Sequence, residues 1–366
     1  MRKSRASSVC VCLLTAASIC VAQQRQAGRI LAETGVKGGL VVHLGCGDGK
    51  LTAALRRNDS YLIHGLDEDR ESIEKARDYI SGKDLYGEVS VEQWSGKVLP
   101  YSDNVVNLLV AEDLGDISTD EVMRVLCPNG VAYIKGTKTV KPRPSDIDEW
   151  THFLHDADGN AVAKDTRVAT PKHLQWEAEP KRTRDHDGQA SISAMTSSNG
   201  RIFYILDEGP TSLVHHPAQW KLIARDAFNG KLLWKRDINS WITHLHLFRS
   251  GPAQLPRLLV SVSDRVYVTL GFDAPVSMLD AATGRTILTY EGSEKTEELI
   301  YYDGMLLAVT GDLNIMNEEA PKISGYWELS VDRKPNVAKS IVAYRASTGK
   351  VLWKKTGDNL AHLTPL

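Results

Sequence analysis

The stretch VVHLGCGDGKLTAAL, Val41–Leu55, places three glycines at alternate positions between an apolar run and a helix-like one. Val41–Leu44 reads as a buried strand and Leu51–Leu55 as the opening of a helix, so Gly45, Gly47 and Gly49 form the turn between them. Missing side chains at such a turn let the backbone approach a ligand where the next helix begins. Further along, HGLDEDRESIEKAR puts Asp67 at the end of a second strand, 18 residues after Gly49. A carboxylate at that point accepts two hydrogen bonds from ribose hydroxyls. Together the two signals point to a nucleoside-bearing ligand.

The surrounding pattern fits that reading. Apolar runs at Leu40–Leu44, Tyr61–Leu66, Val89–Val91, Val105–Ala111 and Val131–Ile134 predict strands of a parallel sheet. Helical patterns lie between them, as in Glu71–Ile80, where Ile73, Ala76 and Ile80 share a face. Residues 25–140 therefore read as a doubly wound α/β domain.

The segments LGCGDGKLT, GLDEDRESIEKAR, VLPYSDNVVNLLVAED and RVLCPNGVAYI follow one another between Leu44 and Ile134. In order and spacing they resemble the class I S-adenosylmethionine-dependent methyltransferases, the type 11 group above all. The resemblance implies a Rossmann-like fold. It also implies S-adenosyl-L-methionine as cofactor, held by Gly45, Cys46, Gly47, Asp48, Gly49 and Asp67. Glu112, after the fourth strand, is the residue that would orient or deprotonate a methyl acceptor. Three more positions of the cofactor set depart from the family pattern. His43 stands where an acid usually braces the glycine loop, Glu68 replaces an apolar residue beside the adenine, and Ser95 replaces an aspartate that meets the adenine amine. Asn107 stands in for a common aspartate of the fourth strand, and the antiparallel edge that often completes the fold is expected to be missing before KPRPSD.

Composition shifts after Lys141-Pro142-Arg143-Pro144, read as a linker, with Lys135, Lys138, Lys141 and Arg143 as a solvated basic run. Three copies of a strand, turn, strand unit follow: ARDAFNGKLLWK (224–235), MLDAATGRTILT (278–289) and AYRASTGKVLWK (343–354). Gly230, Gly284 and Gly349 supply the hairpin turns. Trp234 and Trp353 recur at one repeat position, with Leu288 in the middle copy, and read as packing between repeats. These units resemble the pyrroloquinoline quinone (PQQ) repeat family. DEWTHFLHDADGNAVAKDTRVATPKHLQWEAEP, with Trp150, Gly159-Asn160 and Leu174–Trp176, resembles the lead-in of quinoprotein propellers. The implied organisation is a linker and lead-in at 145–190 and an incomplete β-propeller of about three blades at 191–366. A ring takes roughly four to eight blades, so the sequence reads as a fragment of a longer chain, or as one whose ring another chain completes. No cysteine lies in the propeller segment and no carboxylate set stands out, so PQQ and calcium are not expected.

HFLHDADGN gathers His152, His155, Asp156, Asp158 and Asn160 within nine residues, and two imidazoles with a carboxylate suit a metal. The segment is not an EF-hand, because Gly159 stands fourth rather than sixth and Arg167 occupies the place of the bidentate glutamate. It reads as a solvated loop on an Asp-Gly turn, with no metal expected. RTRDHDG (182–188) and His215-His216 are further polar clusters that only a fold could bring to it.

Residues 1–22 have a basic start, an apolar stretch from Val9 to Val21 and a small residue before Gln23, the pattern of a secretory signal peptide. A periplasmic or secreted protein is expected, with no transmembrane segment left after cleavage. The signal carries three basic residues and no acidic one, so its removal takes the formal net charge from −2 to −5. That balance argues against nonspecific nucleic-acid binding. Only Cys46 and Cys127 remain, at opposite edges of the expected sheet and out of disulfide reach. The reading is an exported methyltransferase-like protein whose propeller presents an unknown methyl acceptor or an envelope protein partner. The alternatives are a non-catalytic envelope scaffold with a degenerate methyltransferase domain, and a quinoprotein oxidoreductase.

Overall fold

Strands that are apolar on both faces need cover on both faces. In the computed structural model that cover is supplied, among the described residues, by four helices on a six-stranded sheet. The structure describes residues 21–168, 170–171, 173–179, 192–211, 217–239, 241, 255–271, 274–311 and 339–357. The chain divides into two units, one ending at Pro144 and including Lys231–Leu233, the other made of the remainder from Ser145 onward.

The first unit runs α1 (residues 21–34), β1 (Gly39–Leu44), α2 (Lys50–Leu55), β2 (Tyr61–Asp67), α3 (Arg70–Ser81), β3 (Val89–Gln93), β4 (Val106–Ala111), α4 (Thr119–Val125), β5 (Leu126–Ile134) and β6 (Thr137–Val140). The strand order is β3-β2-β1-β4-β5-β6. The first five strands are parallel, and the order reverses between β1 and β4. This is the Rossmann-like sheet expected from the sequence, with its crevice at the carboxyl ends of β1 and β4. Alternate residues of the central strands feed two cores. Val41, Leu108 and Val110 pack with Ala27, Ile30 and Leu31 of α1 and with Ile73, Ala76 and Ile80 of α3. Val42, Leu44, Leu109 and Ala111 pack with Val122 and Val125 of α4.

Three details differ from the sequence reading. The antiparallel edge is present as one strand, because β6 pairs antiparallel with β5 from Val131↔Val140 to Ile134↔Thr137. Lys141 is not merely solvated. Its ammonium donates to Asn104 Oδ1 and to the Leu126 carbonyl, both at 2.7 Å, and clamps the start of β5. Helix α1 was not foreseen, and its last buried side chain, Thr34, caps the helix by donating to the Ile30 carbonyl. Cys46 and Cys127 are both buried free thiols. Residues 1–20 of the expected signal peptide lie outside the described residues. Among the described residues no helix is long and apolar enough to cross a membrane.

Among the described residues three sheets of four strands follow, each built from consecutive strands in chain order, and all but the start of one strand belong to the second unit. They are β7 (Ile192–Ser198) to β10 (Leu232–Asp237), β11 (Leu259–Val262) to β14 (Thr286–Thr289), and β15 (Thr296–Tyr302) to β18 (Val351–Gly357). Pairing is antiparallel. The first strand of the middle sheet, β11, touches the first strands of the other two, β7 and β15.

The three sequence copies form the last hairpin of each sheet, and their glycines share one role. Each closes a turn wider than a two-residue hairpin: the N–H groups of Gly230, Gly284 and Gly349 donate to the carbonyls of Asp226, Asp280 and Arg345. All three have positive φ, at 73°, 68° and 71°. A side chain from the preceding segment lies against each of them. Trp176 covers Gly230, Trp234 covers Gly284 and Leu288 covers Gly349. The two indoles also donate Nε1–H to the carbonyl at the second position of the turn, Trp176 to Ala227 at 3.0 Å and Trp234 to Ala281 at 2.9 Å. Leu288 has no such donor. In its sheet the Tyr290 hydroxyl bonds the matching carbonyl, Ala346, at 2.5 Å. Trp353 occupies the same place on β18 and is about half exposed.

A methyl group at residue 284 would lie 2.6 Å from the Trp234 ring in a left-handed backbone conformation. Gly284→Ala should therefore cost about 2–4 kcal/mol in urea unfolding, from backbone strain plus overpacking. Gly292 has a similar φ of 72° with nothing within 4 Å of the added carbon, so Gly292→Ala should cost only about 1 kcal/mol.

Candidate functional site

Parallel strands end at one edge, so the residues after β1, β2, β3 and β4 are neighbours however far apart they are in sequence. Register fixes the spacing: Leu44 pairs with Leu66 on one side and Ala111 on the other, and Asp67 pairs with Gln93. Gly45 to Gly49, Asp67, Glu68, Ser95 and Glu112 therefore all stand along this edge. With strands about 4.8 Å apart, Asp67 and Glu112 are separated by two strand spacings, roughly 10 Å.

The glycine turn and the carboxylate are in contact. The Gly47 N–H donates to Asp67 Oδ2 at 2.8 Å, and the Asp69 N–H donates to Oδ1 at 3.0 Å. Each carboxylate oxygen keeps a lone pair for another donor. Gly45 and Cys46 donate their N–H groups to the Leu66 carbonyl, folding the turn back onto β2. The three glycines are there for different reasons. All have positive φ, at 67°, 53° and 75°, but an added carbon at Gly45 or Gly47 meets nothing within 4 Å, whereas at Gly49 it would lie 2.8 Å from Ala76. Gly49 thus lets α2 pack on α3, while Gly45 and Gly47 leave a cradle open along the backbone. A fourth glycine was not singled out in the sequence. At Gly65 an added carbon would lie 2.8 Å from the Cys46 side chain, so its absence lets the turn settle on β2.

The side chains of Cys46 and His43 are buried in this arrangement. Burial, with the Asp67 charge adding to it, pushes the Cys46 thiol up to about 12, so it stays protonated. His43 is 4% exposed, and burial pulls its imidazole down to about 4. Its Nδ1 lies 2.9 Å from the buried Thr52 hydroxyl, so a neutral ring braces α2 where a charged acid is usual in the resembled family. Asp48 faces solvent and is paired with Lys50 at 2.6 Å. Burial pushes its carboxyl up, but hydrogen bonds from Lys50 outweigh this and leave it below the usual range.

Glu68 and Ser95 are exposed at the ends of β2 and β3, and the Glu68 carbonyl takes the Gln93 side-chain amide. Glu112 is exposed directly after β4. Asn107 does not belong to this edge. Its Oδ1 accepts the Leu40 N–H at 2.8 Å, at the amino end of β1, so its change from aspartate leaves the crevice untouched. The loop before β4 is pinned by Arg124, whose guanidinium reaches Glu121, Asp103 and the carbonyls of Leu99 and Tyr101. Nothing in the sequence spacing marked that clamp. In the second unit, RTRDHDG and His215-His216 lie outside the described residues.

Residues 41–130 match a family model described as a methyltransferase domain, so the first unit carries a methyltransferase-like domain. No match is found among curated proteins. Among solved structures, a SAM-dependent methyltransferase from Aquifex aeolicus is 22% identical, over 30% of this chain and 62% of its own, with a TM-score of 0.26. Geranyl diphosphate methyltransferase in complex with SAM is 19% identical, over 30% and 48%, with a TM-score of 0.28. The (4+2)-cyclase SpnF is 24% identical, over 30% and 43%, with a TM-score of 0.28. The chain spans about half the length of these structures.

The buried neutral imidazole makes the first unit acid-sensitive. The unfolded chain takes up a proton at His43 below about pH 6.5 and the folded chain does not until about pH 4. Stability is therefore complete above pH 6.5 and falls as pH drops to 4, by up to roughly 3 kcal/mol. Urea unfolding at pH 7 and pH 4.5 should show a smaller acid loss for His43→Gln than for the parent chain.

Proposed function

We propose that the first unit binds S-adenosyl-L-methionine along the carboxyl edge of its sheet and transfers a methyl group. The observation that carries this is the pairing of an open, side-chain-free backbone at Gly45 and Gly47 with a carboxylate, Asp67, already held against it. The residues fit the group. The two glycines let the main chain lie against the ligand, and Asp67 has lone pairs left for two ribose hydroxyls. Glu68 and Ser95 flank the base from β2 and β3. When bound, the sulfonium supplies an activated methyl group, so the chain's task is to align a nucleophile with it. Glu112 stands on the far side of β1 from Asp67, where it orients the acceptor or takes its proton.

The three four-stranded sheets, with β11 touching β7 and β15, support reading the second unit as blades of an incomplete propeller. In the exported protein this unit recruits the methyl acceptor or an envelope partner. A non-catalytic scaffold is the second reading. It is favoured by the neutral His43 in the bracing position, which removes a negative charge from the site.

Isothermal titration calorimetry of the full chain with S-adenosylmethionine and with its demethylated product separates the two. Binding at one site is expected, weakened about 10- to 150-fold in Asp67→Ala, the worth of hydrogen bonds to a charged group. A folded chain that gives no heat at millimolar ligand supports the scaffold.

A further inference from the structure

His155 is 2% exposed, with the edge of the Trp150 ring against it. Its two ring nitrogens have unlike surroundings. Nε2 lies 2.7 Å from Asp148 Oδ2, a carboxylate oxygen that also accepts the Lys164 N–H. A neutral ring with its proton on Nε2, toward Asp148, would carry its lone pair on Nδ1. Nδ1 is buried and has no hydrogen-bond partner. Asp156 Oδ2 lies 3.5 Å from Nδ1, and one ligand atom each from His155, Asp156 and Asp158 lie within 4.8 Å of one another. The two carboxylates also accept the Asp158 and Asn160 N–H groups of the loop, but neither gives Nδ1 a hydrogen, and a cation among the three would supply the partner it lacks. The Lys164 ammonium, 2.7 Å from Asp156 Oδ2, offsets part of the negative charge but leaves the imidazole lone pair unmet.

We infer that His155 Nδ1, Asp156 and Asp158 bind one divalent cation of the zinc type, with Asp148 as a positioning residue behind the imidazole. Mixed nitrogen and oxygen donors suit zinc and its first-row neighbours, whereas calcium and magnesium take oxygen alone. Closing the donors to about 2.0–2.2 Å from the ion asks only a small movement of the exposed Asp158. Asp156 also borders a crevice with Phe153, Gly159 and Arg257, which gives an ion a route in. Three protein donors leave a fourth position for solvent or a substrate oxygen. His152, the other imidazole of the segment, is not a ligand. Its Nε2 accepts the Tyr301 N–H at 3.0 Å and its Nδ1 lies 2.8 Å from the Thr151 hydroxyl.

The test is zinc affinity of the full chain, measured by competition with a chromophoric chelator, together with the thermal melt in chelator. Zinc should bind at one site that millimolar calcium does not displace. Asp158→Asn should weaken it about tenfold or more, and Asp148→Asn by about 10- to 100-fold. Lys164→Met should tighten it several-fold by removing the competing ammonium, a gain that a purely structural loop would not show. The exposed Asp158 and Lys164 variants should melt like the parent chain without metal. No zinc binding, or binding that neither Asp158→Asn nor Lys164→Met alters, overturns the inference.

Discussion

The hydrogen bond from the Gly47 N–H to the Asp67 carboxylate joins two segments that the sequence keeps 20 residues apart. It depends on the whole of the first unit. The parallel pairing of β1 with β2 brings the two ends side by side, Gly65 lets Cys46 settle between them, and Gly49 lets α2 rest on α3. Because the carboxylate is already engaged with the loop, the crevice keeps its form without a ligand to organise it. Preorganisation of this kind lowers the ordering cost of binding.

Much of the first unit was legible because its signals are local or periodic. The five apolar runs became β1 to β5, and the face of Ile73, Ala76 and Ile80 lies in a core. What was hidden depends on partners distant in sequence. Helix α1 is described from residue 21, at the end of the stretch that reads as a signal peptide, and its polar residues mask the stripe formed by Ala27, Ile30 and Leu31. Strand β6 has four exposed residues, so it carries no hydrophobic pattern at all and exists through its pairing with β5. Lys141 looked like one charge in a run, and only the fold supplies Asn104 and the Leu126 carbonyl to hold it.

The candidate residues were legible by their place in the fold. Spacing put His43, Cys46, Asp67, Glu68, Ser95 and Glu112 at the ends of strands, but burial decides what each can do there. At 4% exposure the side chains of His43 and Cys46 are buried and neutral, while Glu68 and Glu112 beyond the strand ends stay in water. In HFLHDADGN the reverse holds. Five polar residues looked equivalent in the sequence, and the fold separates them by occupying both nitrogens of His152 while leaving one nitrogen of His155 bare.

The substitution of Tyr290 for an indole donor shows that the three sheets are not interchangeable cassettes. In the first two contacts one side chain supplies both the cover and the hydrogen bond, but in the third these duties are divided between Leu288 and Tyr290. A gene rearrangement that set the third hairpin behind Trp234 would exchange the Tyr290 hydroxyl for an indole N–H at the Ala346 carbonyl. The order of the repeats is thus written into their side chains, and duplication or shuffling of a unit would have to carry its neighbour's partner along.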